Sequence, residues 1–180
     1  MIKQMALSAV ILLCILAGCT TTRVWTSTPQ VSELGSRYYK VLFEPLTKDH
    51  TFYVRFRLEV ANKTNKDLRI DWNKTRYLLD GCSNGGFVFE GIDPQNISKL
   101  TIPDDIVPAG ETFSKEIAPY TMLARAPLRI KERSEGEESI KPGPLPAGEN
   151  GILLVIRQDG QEISDKVTVK IEVSERRDWF

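Results

Sequence analysis

Apolar and polar residues alternate along several segments of the chain. In TFYVRFRLEVAN, residues 51–62, five alternate positions are apolar, and charged or aromatic residues separate them. DLRIDW, residues 67–72, and DKVTVKIEVSE, residues 165–175, repeat this period of two. The alternation is typical of a strand with one face on a core and the other in water. It predicts three antiparallel strands, with Asp71 on the solvent side of the second and Val173 on the apolar side of the third.

One segment is apolar without alternation. In GILLVIR every residue from Ile152 to Ile156 is apolar, which predicts a strand that is covered on both faces or the central strand of one sheet. The turn that follows, Gln158 to Gln161, contains Asp159-Gly160, a strong signal for a β-hairpin. We therefore expect this strand to pair antiparallel with the last one.

Turn residues divide the rest of the chain into short pieces. LLDGCSNGGFVFEGI predicts two strands around a loop from Asp80 to Gly86, and VPAGETF (107–113) and LPAGENG (145–151) each predict a corner before a strand. Beyond the N-terminal apolar run, no segment of ten residues has helical periodicity, although PYTMLARAPL (119–128) predicts one short helical turn. The pattern favours an all-β fold, an antiparallel β-sandwich of about seven strands, with a closed barrel as the alternative.

The N-terminus has its own organisation. Lys3 precedes an uncharged, mostly apolar run from Met5 to Ala17, which is shorter than the roughly 20 residues that a membrane-spanning helix needs. The run ends in Leu16, Ala17, Gly18 and Cys19, which resemble the lipobox of bacterial lipoprotein precursors. An ordinary secretory signal and a buried core helix are the alternatives.

The lipobox resemblance has chemical consequences. It implies a diacylglycerol on the Cys19 sulfur, cleavage between Gly18 and Cys19, and a further acyl chain such as palmitate on the new amino terminus. Two or more acyl chains hold a protein on a membrane without a spanning helix. Because Thr20 rather than aspartate follows Cys19, resemblance to enteric lipoproteins implies the outer membrane, facing the periplasm, in a host that has one.

These signals divide the chain into three parts. Residues 1–18 are the expected signal peptide, and residues 19–37 are the lipidated cysteine and a flexible tether rich in Thr and Ser. Residues 38–180 are the expected β-sandwich domain.

A second resemblance concerns the fold. VANKTNKDLRIDWNKTRYLLDG, residues 60–81, together with IVPAGETF, residues 106–113, is similar to the small immunoglobulin-like sandwiches of bacterial envelope proteins. The shared features are a strand that ends in asparagine, a DG turn and a PAGE corner. The resemblance implies a binding or scaffold module, and it brings no catalytic residue with it.

The charge balance and the cysteine content restrict the classes of partner and of catalytic site that the chain can have. The chain has 24 basic and 24 acidic residues and therefore lacks the positive field that binds nucleic acid. Of three cysteines, Cys14 is expected to leave with the signal peptide and Cys19 to carry lipid, so Cys82 has no cysteine to pair with inside the mature chain. We expect Cys82 to be a small buried hydrophobic residue, with an exposed thiol, or a nucleophile paired with His50, as alternatives.

Two acidic stretches are candidates for metal or acid–base chemistry. Asp80, Ser83 and Asn84 could offer oxygen ligands to calcium, but the regular spacing of an EF-hand loop is missing, which favours a plain hairpin loop. Asp104 and Asp105 could act as a pair, but adjacent strand residues point to opposite faces, which favours a polar turn. We expect no metal and no cofactor.

Two functions follow from these observations. The first is a non-enzymatic, membrane-anchored envelope lipoprotein that binds or scaffolds another envelope component. Its partners are the membrane, through the lipid anchor, and an envelope protein, with no role for nucleic acid. The alternative is a small periplasmic hydrolase or metal-dependent enzyme in which acidic side chains gather around His50.

Overall fold

The computed structural model describes residues 20–48, 51–92, 101–125 and 140–178, and the regular secondary structure of these residues is almost wholly β-strand. A single turn of 3₁₀ helix, Tyr120–Met122, lies where a short helical turn was predicted. The strands are β1 (Thr20–Thr28), β2 (Ser32–Gly35), β3 (Tyr39–Lys48), β4 (Phe52–Asn62), β5 (Leu68–Ile70), β6 (Arg76–Leu79), β7 (Cys82–Ser83), β8 (Phe87–Val88), β9 (Asp105–Val107), β10 (Thr112–Pro119), β11 (Leu123–Arg125), β12 (Ile140–Pro142), β13 (Gly148–Gln158) and β14 (Gln161–Asp178).

The strands form two main antiparallel sheets. One has seven strands in the order β1-β14-β13-β5-β9, with β6 on β13 and β7 on β6, and the other has five in the order β2-β3-β4-β10-β8. A separate pair joins β11 and β12. The expected all-β architecture is thus confirmed as two antiparallel sheets, whereas the expected count of about seven strands is not, because the two main sheets alone hold twelve.

The chain divides into two compact units. The larger runs from Trp25 to Glu172 and holds the hydrophobic core, and the smaller joins Met1–Val24 with Val173–Phe180. In its described part, the smaller unit consists of the start of β1 and the end of β14.

The core of the larger unit lies between the two sheets. Phe56 of β4 stacks on Phe43 of β3, with 4.3 Å between ring centroids, and faces Tyr77 of β6 in the other sheet at 6.4 Å. Alternate residues of β4 are buried as the period of two predicted. Aromatic pairs with this spacing add to the free energy that area burial provides, by about 0.5–1.5 kcal/mol each.

Strand β13 is covered on both faces, as its continuous apolar sequence predicted. Ile152, Leu154 and Ile156 belong to the core between the sheets, and Val155 is buried on the opposite face. The predicted hairpin is confirmed: β13 pairs antiparallel with β14 up to Gln158 opposite Gln161, and Asp159 and Gly160 both have positive φ. Positive φ at both central residues is the geometry of a type I′ hairpin turn.

Two expectations about exposure need correction. Asp71 is buried rather than on a solvent-facing strand position, because the strand ends at Ile70 and the Asp71 carboxylate accepts hydrogen bonds from the backbone N–H groups of Asn73 and Lys74. Val173 is exposed, since β14 continues there beyond its pairing with β13.

The stretch expected to be a tether contains two strands. Residues Thr20–Thr28 form β1 beside β14, and Ser32–Gly35 form β2 beside β3, so sheet structure begins well before Tyr38. Trp25 packs against the core, whereas Val31 is exposed. Threonine is a β-branched residue that favours strands, and its polarity hides this preference from a search for hydrophobic periods.

A buried asparagine connects the two sheets at the first PAGE corner. The Asn62 side-chain amide, at the end of β4, donates hydrogen bonds to the carbonyl oxygens of Lys66, Val107 and Pro108 at 2.7–3.0 Å. Its carbonyl oxygen accepts from the backbone N–H and the hydroxyl of Thr64. One side chain therefore fixes the turn after β4 and the corner after β9.

Candidate functional site

The most concentrated group of charged and aromatic side chains in the described part of the larger unit surrounds Lys115. We call it the Lys115 cluster, and its members are Lys115, Asp105, Trp72, Phe89 and Phe113. It joins the two sheets, because Asp105 begins β9 of the seven-stranded sheet and Lys115 lies in β10 of the other.

The cluster holds an ammonium group between one carboxylate and three rings. Lys115 Nζ lies 2.5 Å from Asp105 Oδ2 and 4.0 Å from the centroid of the Phe89 ring. The rings of Phe113 and Trp72 lie at 5.4 and 5.7 Å. Trp72 Nε1 donates to the same Asp105 oxygen at 2.7 Å. This is the chemistry that recognises cationic ammonium groups, and here the chain's own lysine occupies it.

A second cluster of charged side chains surrounds Arg157 of β13. Arg157 donates to Asp104 Oδ2 at 2.6 Å and lies 3.4 Å from Asp71 Oδ2. The side-chain amide of Asn73 bonds to both the N–H and the C=O of Ile102, which fixes the segment leading to Asp104. Each carboxylate here has a cationic partner, so the cluster is arranged to join segments of the chain.

The structure therefore separates the Asp104–Asp105 pair. Asp104 binds Arg157, and Asp105 binds Lys115 and Trp72. The two carboxylates therefore do not act as a pair, and the expected polar turn is wrong for Asp105, which begins a strand.

The Asp80–Gly86 loop contains a small hairpin. Asp80 and Gly81 have positive φ and connect β6 to the two-residue strand β7. Asp80 Oδ1 accepts a hydrogen bond from the backbone N–H of Glu149 at 2.8 Å, which links the hairpin to the start of β13. The expected hairpin loop between the two flanking strands is not what forms: the hairpin joins β6 to β7 within the loop, and β8, which follows the loop, pairs with β10 in the other sheet. No group of three His, Cys, Asp or Glu residues suited to a metal ion occurs within the residues that the structure describes.

Cys82 lies on the surface of this hairpin. The expectation that it is a buried hydrophobic residue is wrong, because β7 is a two-residue strand whose side chains are both exposed. Five predicted positions lie outside the described residues: His50, the residues Leu16, Ala17 and Gly18 that resemble a lipobox, and the expected lipidation site Cys19.

Lys115 is not among the residues that the sequence analysis singles out, although the alternation of residues along β10 contains a signal for it. Phe113, Lys115 and Ile117 share one face of β10, and Lys115 is directly opposite the buried Leu58 of β4. A lysine at an apolar position of an alternating strand indicates that its charge has a partner, because an unpaired buried charge is costly.

Substituting Lys115 tests whether the cluster stabilises the fold. Lys115→Met removes the charge and leaves Asp105 without its cation, and we expect the free energy of unfolding to fall by about 1–2 kcal/mol. Adding Asp105→Asn should restore part of this loss, because it removes the unpaired carboxylate. Urea unfolding of both single variants and the double variant measures the coupling.

The exposed ion pair between Lys66 and Asp159 is the matched control. Both side chains are more than half exposed, and an exposed pair is typically worth less than about 1 kcal/mol. If the losses of unfolding free energy in the two single variants simply add up in the double variant, Lys115 and Asp105 are not coupled and the prediction is contradicted.

Two buried tyrosines link distant parts of the larger unit. Tyr39 donates from its hydroxyl to Asp165 Oδ2 at 2.6 Å, and Tyr77 donates to Asn150 Oδ1 at 2.5 Å. Burial raises the pKa of Tyr39 above its ordinary value, and the hydrogen bond to Asp165 and the charge of that residue raise it further. Burial also raises the pKa of Tyr77, and the charge of Asp80 adds to the effect.

These pKa shifts predict a loss of stability at alkaline pH. Below about pH 10 both tyrosines are protonated whether the chain is folded or unfolded. Above it the unfolded chain releases protons that the folded chain retains, so stability falls by up to about 1.4 kcal/mol per pH unit for each tyrosine. Tyr39→Phe and Tyr77→Phe should each reduce the slope of unfolding free energy against pH. If neither variant changes this slope, the assignment of the alkaline loss of stability to Tyr39 and Tyr77 is contradicted.

No protein family, no curated protein and no solved structure matches this chain. Among the residues described, no helix is long and apolar enough to span a bilayer.

Proposed function

We propose that the chain is a lipoprotein of the bacterial envelope, held on the membrane by acyl chains on Cys19. Its β-sandwich, of immunoglobulin-like type, binds or braces another envelope component and catalyses no reaction. The observation that carries the proposal is the short apolar run that ends in Leu16, Ala17, Gly18 and Cys19, directly before a chain that enters β-structure at Thr20.

The pairing of charged side chains within the sandwich supports a binding role. Asp104 and Asp105, the acidic pair with the best claim to chemistry, are held by Arg157 and Lys115. A general acid or base needs an ionisable group that is available to a substrate, and these groups are instead committed to joining segments of the chain. The arrangement favours a rigid module over a catalytic centre.

Two features support the immunoglobulin-like assignment. The two antiparallel sheets share a core in which Phe56 lies against Tyr77 of the other sheet. Asn62, at the end of β4, binds the corner formed by Val107 and Pro108, so the asparagine and the PAGE motif of the sequence resemblance meet in space.

Site-specific photo-cross-linking in intact cells tests the proposed role. Photoreactive residues are introduced singly at three exposed apolar positions, Val31, Ile106 and Tyr120. The proposal expects at least one position to form a discrete adduct with an envelope component, and expects Cys19→Ala to abolish that adduct. Adducts that persist in Cys19→Ala, or the absence of adducts at all three positions, would contradict it.

The enzymatic alternative has its own discriminating result. If acidic residues and His50 form a catalytic site, then His50→Ala should abolish the enzymatic activity of the protein in cells, while the photo-cross-linked adducts should remain. If the protein is a binding module, His50→Ala should change neither.

A further inference from the structure

Two asparagines of the chain are directly followed by glycine, at Asn84-Gly85 and Asn150-Gly151. An Asn-Gly bond is especially open to spontaneous deamidation, because glycine has no side chain to keep its backbone nitrogen away from the asparagine amide. The two sites share this chemistry but differ in their surroundings, so the fold determines which of them reacts.

The Asn150 site is closed to this reaction. Its side chain is buried, and the amide donates to the carbonyl oxygens of Pro146 and Gly148 at 2.9 and 3.1 Å. Its oxygen accepts from the Tyr77 hydroxyl. The backbone of Gly151 is held within the sheet, because β13 pairs there with β14 on one side and with β6 on the other.

The Asn84 site is open. Asn84 is half-buried and Gly85 is exposed, and both lie just after β7, outside any strand. Within the part of the chain that the structure describes, neither the Asn84 side-chain amide nor the Gly85 N–H makes a hydrogen bond. These are the two groups that meet in deamidation, so no hydrogen bond has to break before they react.

The backbone conformation requires glycine at position 85. Gly85 has a φ of +86°, and an added Cβ would lie 3.2 Å from Thr121 Cγ2. The Tyr77 carbonyl oxygen accepts from the Asn84 N–H at 2.8 Å, and the Tyr77 N–H donates to the Gly85 carbonyl oxygen at 2.9 Å. Two residues thus stand opposite one residue of β6, which is the arrangement of a β-bulge. The glycine that makes this bond reactive is the one that the bulge needs.

We infer that Asn84 is a modification site, at which the folded chain deamidates spontaneously while Asn150 does not. The Gly85 backbone nitrogen attacks Asn84 Cγ, and the new N–Cγ bond closes a succinimide ring. The side-chain –NH2 leaves as ammonia, with the proton that the Gly85 nitrogen gives up. Water then opens the ring. Hydrolysis of the bond to Cγ gives aspartate, whereas hydrolysis of the bond to the main-chain carbonyl carbon gives isoaspartate, in which the main chain runs through Cγ.

Both products change the segment between β7 and β8. Either one adds a negative charge at neutral pH. Isoaspartate also adds one carbon to the main chain between the Asn84 nitrogen and the Gly85 oxygen, the two atoms that bond to Tyr77. The Asn84 carbonyl oxygen, which accepts from the Thr121 hydroxyl, becomes part of a free carboxylate. Isoaspartate at this position therefore disturbs the bulge and its link to Thr121.

Peptide mapping by mass spectrometry tests this inference, independently of the lipid anchor. The full-length gene is expressed, and the purified protein is incubated at mildly alkaline pH, folded in one sample and unfolded by guanidinium chloride in the other. Each asparagine is followed by the mass that exchange of –NH2 for –OH adds, and electron-based fragmentation separates aspartate from isoaspartate. Asn150 is the internal control, since glycine follows it too. Asn84→Gln is the matched variant, because its longer side chain must close a larger and slower-forming ring.

We expect the folded protein to convert Asn84 and retain Asn150, and the unfolded protein to convert both. Asn84→Gln should abolish the modification at this position in both samples. If Asn84 reacts in the unfolded chain but stays unmodified in the folded protein, the fold protects it and the inference is overturned. Equal rates at Asn84 and Asn150 in the folded protein would overturn it as well, because the surroundings of the two sites would then make no difference.

Discussion

Cys19→Ala is expected to leave the chain without acyl chains and with its leader attached. The thioether that the lipobox resemblance implies needs the Cys19 sulfur, and the implied cleavage between Gly18 and Cys19 depends on the same residue. Each buried methylene of an acyl chain contributes about 0.8 kcal/mol to membrane binding, so the loss of the chains removes the dominant anchor. Metabolic labelling with an alkyne fatty acid should show complete loss of label.

The other two cysteines are the controls for this experiment. Cys14 lies in the apolar run that is expected to be removed with the leader, and Cys82 is exposed on the sandwich. Cys14→Ala and Cys82→Ala should both keep the label. Label that persists in Cys19→Ala, or that disappears in Cys82→Ala, would place the lipid elsewhere.

Asn62→Ala is expected to lower the free energy of unfolding by about 2–4 kcal/mol. The substitution removes the donor to three carbonyl oxygens, those of Lys66, Val107 and Pro108, in a buried position. A carbonyl left without a partner in the interior costs about 1–3 kcal/mol. Asn62→Asp should be at least as damaging at neutral pH, because its carboxylate would face the same three oxygens.

Asn65 provides a matched control in the same turn. Its side chain is exposed, and surface substitutions usually change stability by less than about 0.5 kcal/mol. Urea unfolding of Asn62→Ala and Asn65→Ala should therefore give clearly different midpoints. Equal midpoints would show that the Asn62 hydrogen bonds contribute little to the junction between the sheets.

The predictable part of the fold lies where one face of a strand is wholly apolar. The alternation of β4 and the unbroken apolar run of β13 predicted their burial, since the side chains themselves form the core. The Asp159-Gly160 turn was predictable because few residues accept positive φ. These signals are local, so a single sequence contains them.

The parts that were missed depend on distant partners. Asp71 is buried because backbone N–H groups and Arg157 satisfy its carboxylate, and neither partner is visible in the alternation of DLRIDW. The polar threonines of residues 20–28 predict a tether, yet these residues form strand β1, which pairs with β14 from the far end of the chain. Long-range pairing of this kind is fixed by tertiary structure rather than by local sequence.

The same limit applies to the candidate site. The sequence drew attention to Asp104 and Asp105 but gave no indication that they would bind different cations on β13 and β10. Lys115 stands out only after β10 is known to lie against Leu58 of β4. The lipobox resemblance, in contrast, rests on a linear run of residues, so it can be proposed without any knowledge of the fold.

Intact mass spectrometry of the mature protein, extracted from membranes, tests the lipid anchor most directly. We expect a chain that begins at Cys19 and is heavier than its sequence by a diacylglycerol, with or without a further acyl chain. A mass that includes residues 1–18, or an unmodified Cys19 at the amino terminus, would contradict it.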